Sequence, residues 1–140
     1  MSWFGQDWSA GLELPPLART VTRDDVRAYA EASGDRNPLH LDDDAARAAA
    51  FDGVIAHGMF TMGHLATAVA SWAGPEAFVR RIRVQFRSPV SMGETIVARA
   101  RVRAVDEQTR TAWLDAAVTV EREGREEHAI RRGEVEISAA

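Results

Sequence analysis

The sequence contains no cysteine and no lysine, and these absences narrow the possible functions. Without cysteine the chain can form neither disulfides nor thiolate metal sites. Its 17 basic residues are all arginines, and 21 acidic residues outnumber them, so the formal net charge is −4. A net negative charge gives no electrostatic basis for binding nucleic acid. We therefore expect a function that depends on neither disulfides nor a nucleic-acid partner.

The sequence also lacks the features of a secreted or membrane protein. Its first nine residues, MSWFGQDWS, have neither the basic start nor the apolar run of a secretory signal, although Trp3, Phe4 and Trp8 are expected to pack on the rest of the chain. Residues 53–75 contain no Asp, Glu or Arg and are long enough to span a bilayer. The histidines and threonines in this stretch favour a buried helix instead. We predict a soluble, cytoplasmic protein without a membrane partner, forming one domain over residues 1–140.

Three helices are predicted in the first half of the chain. Thr22 is a favourable N-cap with acidic residues in the following turn, and the glycine of Ser33-Gly34 permits the left-handed conformation that ends many helices. The acidic run Asp42–Asp44 caps a short alanine-rich helix, and Gly74-Pro75 ends a long apolar one. The predicted helices run from Thr22 to Ser33, from Asp42 to about Ala50, and from Gly58 to about Ala73.

Alternation of apolar and polar residues predicts strands in the second half. The pattern starts at Phe78 and continues over Thr95–Val105 and Ala112–Val120. In a fourth strand Ile130 is out of phase with the later apolar residues, which predicts a bulge near Gly133. Four successive strands joined by turns favour an antiparallel meander with one covered face.

The order of these elements predicts the fold class. Residues 12–21 alternate loosely, but Pro15-Pro16 confines this segment to an edge strand or an extended arm. One long apolar helix followed by four strands predicts an α+β fold, in which an antiparallel sheet curls round the helix. Such a sheet leaves its edge strands unpaired, and an edge-to-edge dimer would satisfy them.

Residues 29–59, which read YAEASGDRNPLHLDDDAARAAAFDGVIAHGM, are chemically the most informative stretch. Asp35 and His40 lie in one predicted turn, where a carboxylate and an imidazole together can perform acid–base chemistry. Gly58 opens the long helix, so its backbone N–H has no partner within the helix and lies at the positive end of the helix dipole. The stretch therefore provides an acid–base pair and an oxyanion donor.

The block Ser33–His40, which reads SGDRNPLH, and the later AHGM at Ala56–Met59 resemble the MaoC-like (R)-specific enoyl-CoA hydratases and 3-hydroxyacyl-thioester dehydratases. The resemblance covers roughly residues 22–89. Residues 55–61 with Ser71-Trp72 most resemble the catalytic subunit of heterodimeric 3-hydroxyacyl-acyl-carrier-protein dehydratases. The resemblance implies a single hot-dog domain, no cofactor or metal, and an acyl thioester of coenzyme A or acyl carrier protein as substrate. It also implies a homodimer, or a heterodimer with a related hot-dog subunit.

The resemblance also implies roles for the residues of these two motifs. Asp35 and His40 hold one water molecule that is added to, or removed from, the acyl chain, and either of the two residues can be the formal base. The N–H of Gly58 stabilises the enolate charge on the thioester oxygen. Four further residues are expected to support the site or to contact the substrate: Asn37, Ser33, His57 and Met59.

Other interpretations of the same residues stay open. A hot-dog thioesterase shares the fold but directs water to the carbonyl carbon, and a non-catalytic partner subunit would be expected to lack Asp35 and His40. Asp42–Asp44 could suggest a metal site with His40, but consecutive acidic side chains point in different directions and helix capping explains them. The arginines at positions 80, 81, 83 and 87 could meet coenzyme A phosphates or an acidic carrier protein, or simply form an outward sheet face.

Overall fold

The computed structural model describes residues 7–139, and the prediction that Trp3 and Phe4 pack on the chain lies outside this range. Trp8 is buried in the core, as predicted. The elements in chain order are β1 (Leu17–Thr20), α1 (Arg23–Ser33), a 3₁₀ helix (Pro38–His40), α2 (Asp43–Ala48), α3 (Gly58–Ala73), β2 (Ala77–Phe86), β3 (Thr95–Asp106), β4 (Thr111–Arg122) and β5 (Arg125–Ala139).

The chemistry of its terminal residues determines where α1 begins and ends. The Thr22 hydroxyl accepts a hydrogen bond from the Asp25 N–H, and the Asp25 carboxylate accepts one from the Thr22 N–H, both at 3.1 Å, which forms a capping box. Gly34 follows the helix with a φ of 78°, in the left-handed region. The predicted bounds of α1 and α3 are confirmed, and α2 ends at Ala48, close to its predicted end.

The five strands form one antiparallel sheet in the order β1-β3-β4-β5-β2. The predicted meander is therefore wrong in one respect, because β2 pairs with β5 at the sheet edge and not with β3. The connection from β2 to β3 instead passes the start of α3, where the Ala56 N–H donates to the Val90 carbonyl at 2.8 Å and Ile55 forms a bridge with Ser91. Alternation along the chain indicates a strand but not its neighbour, since pairing depends on distant segments.

β1 forms the other edge of the sheet and is antiparallel to β3, as expected for a segment that follows two prolines. Two side chains of α3 hold this edge. Nε2 of the buried His64 lies 2.9 Å from the Leu17 carbonyl oxygen, and the Trp72 indole N–H donates to the Pro15 carbonyl at 2.8 Å. The central helix therefore anchors the N-terminal strand through buried polar contacts.

The long helix α3 packs on the sheet and forms the centre of the core. Its buried apolar residues meet apolar strand residues that include Ile96, Val102, Leu114, Val118, Ile130 and Ile137. Burying one Leu or Ile side chain stabilises a fold by about 1.5–3 kcal/mol. None of the helices in the described part of the chain is long and apolar enough to cross a membrane. A curled antiparallel sheet round a long helix is the α+β hot-dog fold that the resemblance implied.

The predicted bulge near Gly133 is confirmed. The pairing of β5 shifts register between Ile130 and Glu134, and Arg132 adopts a φ of 50°. At the same point β5 approaches β4 so closely that a Cβ on Gly133 would lie 2.6 Å from the Ala116 carbonyl oxygen. A glycine is required here because the neighbouring backbone occupies the space of a side chain.

An ion pair fixes the connection between β2 and β3. The Arg122 Nε donates to the Glu94 carboxylate at 2.7 Å, and its terminal N–H groups donate to the Pro89 carbonyl at 2.7 Å and the Ser88 hydroxyl at 3.1 Å. Burial alone would raise the pKa of Glu94, but hydrogen bonds from Arg122 and from the Ser91 N–H outweigh it and lower that pKa. The ionised form of Glu94 therefore stabilises this connection.

We predict that Glu94→Gln lowers the free energy of unfolding by about 1–3 kcal/mol at neutral pH, because Arg122 loses one of its two charged partners and keeps only Glu127. A carboxyl whose pKa is lowered on folding contributes stability above its ordinary pKa of 4.5, and loses that contribution as the pH falls through the folded value. The difference from wild type should therefore shrink as the pH falls below 4.5. Urea unfolding at several pH values measures the difference in free energy of unfolding between the variant and wild type. Glu107→Gln, in an exposed turn, is the control. A difference that persists in acid contradicts the prediction.

Candidate active site

A series of side-chain to backbone hydrogen bonds shapes the turn after α1. The Ser33 hydroxyl accepts from the Asp35 N–H at 3.1 Å, and the Asp35 carboxylate accepts from the Asn37 N–H at 3.2 Å. The Asn37 side-chain oxygen accepts from the Leu39 N–H at 3.1 Å and caps the 3₁₀ helix that carries His40. Three short polar side chains thus set the positions of both predicted acid–base residues.

A hydrogen bond determines which nitrogen of His40 is free. Its Nδ1 lies 2.7 Å from the Ile55 carbonyl oxygen, which can only accept, so Nδ1 carries the hydrogen. Nε2 then has the lone pair and can accept a hydrogen bond or a proton. His40 can therefore act as a base through Nε2, toward a group that lies within hydrogen-bonding distance of that nitrogen.

His57 contacts both predicted acid–base residues. It is only 2% exposed, and its Nε2 lies 2.9 Å from the Asp35 carbonyl oxygen, so Nε2 donates. Its ring stacks on that of His40, with centroids 3.8 Å apart and planes inclined by 25°. The Tyr29 ring also contacts the His57 ring, with centroids 4.8 Å apart and planes inclined by 58°. His57 also precedes Gly58 and caps α3 through its backbone. One buried residue thus touches the turn, the base and the helix start.

Asp35, His40 and His57 each place one potential ligand atom within 4.8 Å of the others. Two hydrogen bonds of about 2.8 Å can span this distance, so an Asp35 carboxylate oxygen and a His40 ring nitrogen are close enough for one water molecule to bridge them. A metal shared by the two histidines does not fit. Their ring planes are inclined by only 25° and stay apart near the stacked rings, whereas a metal about 2.1 Å from a nitrogen of each ring has to lie close to both planes.

The first residue of α3 lies at a pocket of about 310 Å³. The Gly58 N–H has no acceptor among residues 7–139 and lies at the positive end of the helix dipole. The pocket is lined by His40, Ile55, Ala56, Gly58, Thr61, Phe86, Arg87, Ser88, Pro89, Val90 and Ala129. A ligand in it can meet a backbone donor and an imidazole at the same time.

The structure groups only some of the residues expected at the site. His40 and Gly58 line the pocket, whereas Asp35 lies beside His40 but is exposed to solvent and outside the lining. Met59 is 54% exposed and also lies outside it. Asn37 makes its contacts within the turn. A larger pocket of about 680 Å³ lies over outward-facing arginines of β3 and includes none of the expected residues.

Two contributors to the site were missed at the sequence level. Phe86 closes one side of the pocket, and a Cβ on Gly58 would lie 3.2 Å from its ring. In the sequence Phe86 is only one of several alternating apolar residues. Its position at the end of β2 was the one feature that could have indicated a place near the pocket. The Ile55 carbonyl, which orients His40, leaves no signal at all because every residue has a carbonyl.

Known proteins resemble this chain in both sequence and fold. The family model described as MaoC like domain matches residues 12–124. The chain is 32% identical over 105 residues to the 3-hydroxybutyryl-CoA dehydratase of Methylorubrum extorquens, covering 74% of this chain and 67% of that protein. It is 30% identical over 105 residues to the (R)-specific enoyl-CoA hydratase of Rhodospirillum rubrum, covering 74% and 73%. The solved structure of the (R)-hydratase from A. caviae matches with a TM-score of 0.86 at 26% identity, covering 96% of this chain and 99% of that one.

We predict that Gly58→Ala changes the free energy of unfolding by less than about 1 kcal/mol. The added Cβ would meet only the ring of Phe86, a side chain that is 53% exposed and can move. Gly133→Ala is the matched comparison, because its Cβ would meet a backbone carbonyl and should cost about 2 kcal/mol or more. Urea unfolding of both variants measures this, and a larger loss at Gly58 than at Gly133 would contradict it.

Proposed function

The chain belongs to the family of MaoC-like domains, and on that premise we propose that it catalyses the reversible hydration of trans-2-enoyl thioesters, which in reverse is the dehydration of (R)-3-hydroxyacyl thioesters. The observation that carries the proposal is that Asp35 and His40 lie within water-bridging distance beside the pocket where α3 begins. The named activities of the two relatives, 3-hydroxybutyryl-CoA dehydratase and (R)-specific enoyl-CoA hydratase, support the same reaction.

In the hydration direction, Asp35 and His40 hold one water molecule between them. The carboxylate and Nε2 of His40 are both acceptors, so the water donates both hydrogens to the protein and directs an oxygen lone pair at C3 of the substrate. As the C3–O bond forms, the pair takes one proton from the water and returns a proton to C2. The hydroxyl is then on C3, the hydrogen is on C2, and the pair is unchanged.

The thioester oxygen gains negative charge during this step and needs a donor already in place. The Gly58 N–H supplies one, and the helix dipole reinforces it. A single donor of this kind typically contributes about 3 kcal/mol, or a factor of roughly 100 to 1,000 in rate. The missing side chain lets the thioester approach. Proton transfers and this donor are sufficient for the reaction, so the proposal requires no metal or redox cofactor.

His57, Ser33 and Asn37 have supporting roles in this proposal. His57 is a positioning residue, since its hydrogen bond fixes the Asp35 backbone and its ring fixes the plane of His40. Ser33 and Asn37 hold the turn through their contacts with Asp35 and with the 3₁₀ helix. None of these three needs to touch the reacting atoms in order to affect the rate.

A second hot-dog subunit would complete the site at the edge of β2. This strand ends the sheet, and Phe78, Val79 and Phe86 on it are large apolar side chains open to solvent. Met59 is exposed as well, and so is Asp35, although acid–base chemistry on one water requires that bulk water be excluded. We propose a homodimer, or a heterodimer with a related chain, that covers these groups and leaves room for a coenzyme A or acyl-carrier-protein thioester.

We predict that Asp35→Asn or His40→Ala lowers kcat for hydration of crotonyl-coenzyme A by about 100- to 10,000-fold, the range for removing a general acid–base group. Gly58→Ala should also lose turnover, while all three variants remain folded and keep a cooperative unfolding transition. Loss of enoyl absorbance measures hydration, and release of free thiol measures a thioesterase reaction. Thiol release by the wild type without hydration, or full hydration activity in either acid–base variant, would overturn the proposed function.

A second prediction concerns His57 and separates its two contacts. His57→Phe keeps a ring against His40 but loses the donor to Asp35, whereas His57→Gln keeps a donor and loses the ring. We expect His57→Phe to lower kcat by about 10- to 100-fold with KM nearly unchanged, because displacing a catalytic group by about 1 Å costs that much. His57→Gln should recover part of the loss. Wild-type kcat in His57→Phe would mean that the residue only fills space.

A further inference from the structure

The proposed reaction assigns no role to Thr61, a buried threonine beside the start of α3. It follows Gly58 by three residues and is only 3% exposed, and both residues line the same pocket of about 310 Å³. Residues three apart lie on one face of a helix, and helical side chains lean toward the N-terminus. The Thr61 side chain therefore leans back over the turn in which the Gly58 N–H is free.

The Thr61 hydroxyl lacks the partner that a threonine within a helix often has. On the same helix, the Thr67 hydroxyl donates to the Gly63 carbonyl, four residues back, at 3.0 Å. The corresponding acceptor for Thr61 is the His57 carbonyl, which already accepts the N–H of Phe60 at 3.0 Å and that of Thr61 itself at 3.3 Å. Within the described part of the chain the Thr61 hydroxyl makes no hydrogen bond. Its hydrogen is therefore available to a ligand.

This free hydroxyl opens into the pocket. Nδ1 of His57 is unpaired and inaccessible to solvent, whereas the unpaired oxygen of Thr61 keeps some accessible surface, and Thr61 lines the pocket. Ser88 carries another hydroxyl of the lining, but it donates to the His128 carbonyl at 2.8 Å. A polar group this deeply buried is unfavourable without a partner, so a ligand or solvent molecule has to supply one.

We propose that the Thr61 hydroxyl donates a hydrogen bond to the thioester oxygen beside the Gly58 N–H, an inference that rests on the proposed function. An enolate oxygen has more than one lone pair, and oxyanion sites use backbone N–H groups together with polar side chains. Both donors belong to the first turns of one packed helix, so they are in place before the charge develops. Thr61 is therefore a second oxyanion donor of this site.

Steady-state kinetics of two Thr61 variants test the proposal. Valine has nearly the shape of threonine without the hydroxyl, so for Thr61→Val we expect kcat with crotonyl-coenzyme A to fall about 100-fold at nearly unchanged KM, as for the loss of one oxyanion donor. Thr61→Ser keeps a hydroxyl and should stay within about ten-fold of wild type. Thr67→Val is the matched control on an exposed face of α3 and should change neither constant.

Folding of the variants is checked by urea unfolding. Thr61→Val removes no hydrogen bond within the described part of the chain, so we expect it to keep a cooperative transition. If it does not fold, Thr61→Ala replaces it, because alanine also lacks the hydroxyl and favours the helix.

Infrared spectroscopy tests the contact without relying on turnover. Butyryl-coenzyme A with an isotope label at its carbonyl carbon has no double bond to hydrate. Hydrogen bonds to a carbonyl oxygen weaken the C=O bond and lower its stretching frequency. We expect this frequency to fall when the ligand binds wild type at saturating concentration. The fall should be smaller in Thr61→Val and equal to that of wild type in Thr61→Ser and Thr67→Val.

The infrared result separates failure of this inference from failure of the proposed function. A reduced shift in Thr61→Val supports the inference even if wild type hydrates nothing. A shift in Thr61→Val equal to that of wild type would overturn it, even with full hydration activity in wild type, because the hydroxyl then binds another group such as the reacting water. Equal losses of shift and kcat in Thr61→Val and Thr61→Ser would also overturn it, since the shape of the side chain and not its hydroxyl would be what matters.

Discussion

The contact between the rings of His40 and His57 holds together the two segments from which the site is built. One ring belongs to the turn after α1, and the other belongs to the residue that caps α3. Hydrogen bonds from His57 to the Asp35 carbonyl and from His40 to the Ile55 carbonyl fix both rings. Because each of these nitrogens faces a carbonyl, the backbone determines which nitrogen of His40 can accept a proton.

The sheet maintains this arrangement from a distance. Arg122, at the end of β4, binds the Ser88–Pro89 segment, and the following residue Val90 accepts the Ala56 N–H one position before His57. A strand end, a connection and the start of the helix are therefore joined by consecutive hydrogen bonds. This continuity explains how the scaffold fixes the turn that carries Asp35 although that turn is itself exposed, since the turn is bound to the buried His57 on its inner side.

The sequence predicted features that depend on neighbouring residues and failed on features that depend on distant ones. The cap at Thr22, the bounds of α3 and the bulge at Gly133 follow from local chemistry, and all three are found. The strand neighbour of β2 could not be read from alternation, because that pairing is decided by competition among all strands. The same applies to the site: its motif residues were identifiable, but the ring stack and the closing side chain Phe86 depend on three-dimensional packing.

The strand order also has a consequence for synthesis on the ribosome. β2 emerges early, yet its strand partner β5 is made only after β3 and β4. During that interval β2 has no neighbour in the sheet and presents Phe78 and Phe86 as a nascent, aggregation-prone segment. The arginines at positions 80, 81 and 83 lie between them and act as gatekeepers, because adjacent like charges oppose the stacking of one nascent chain on another.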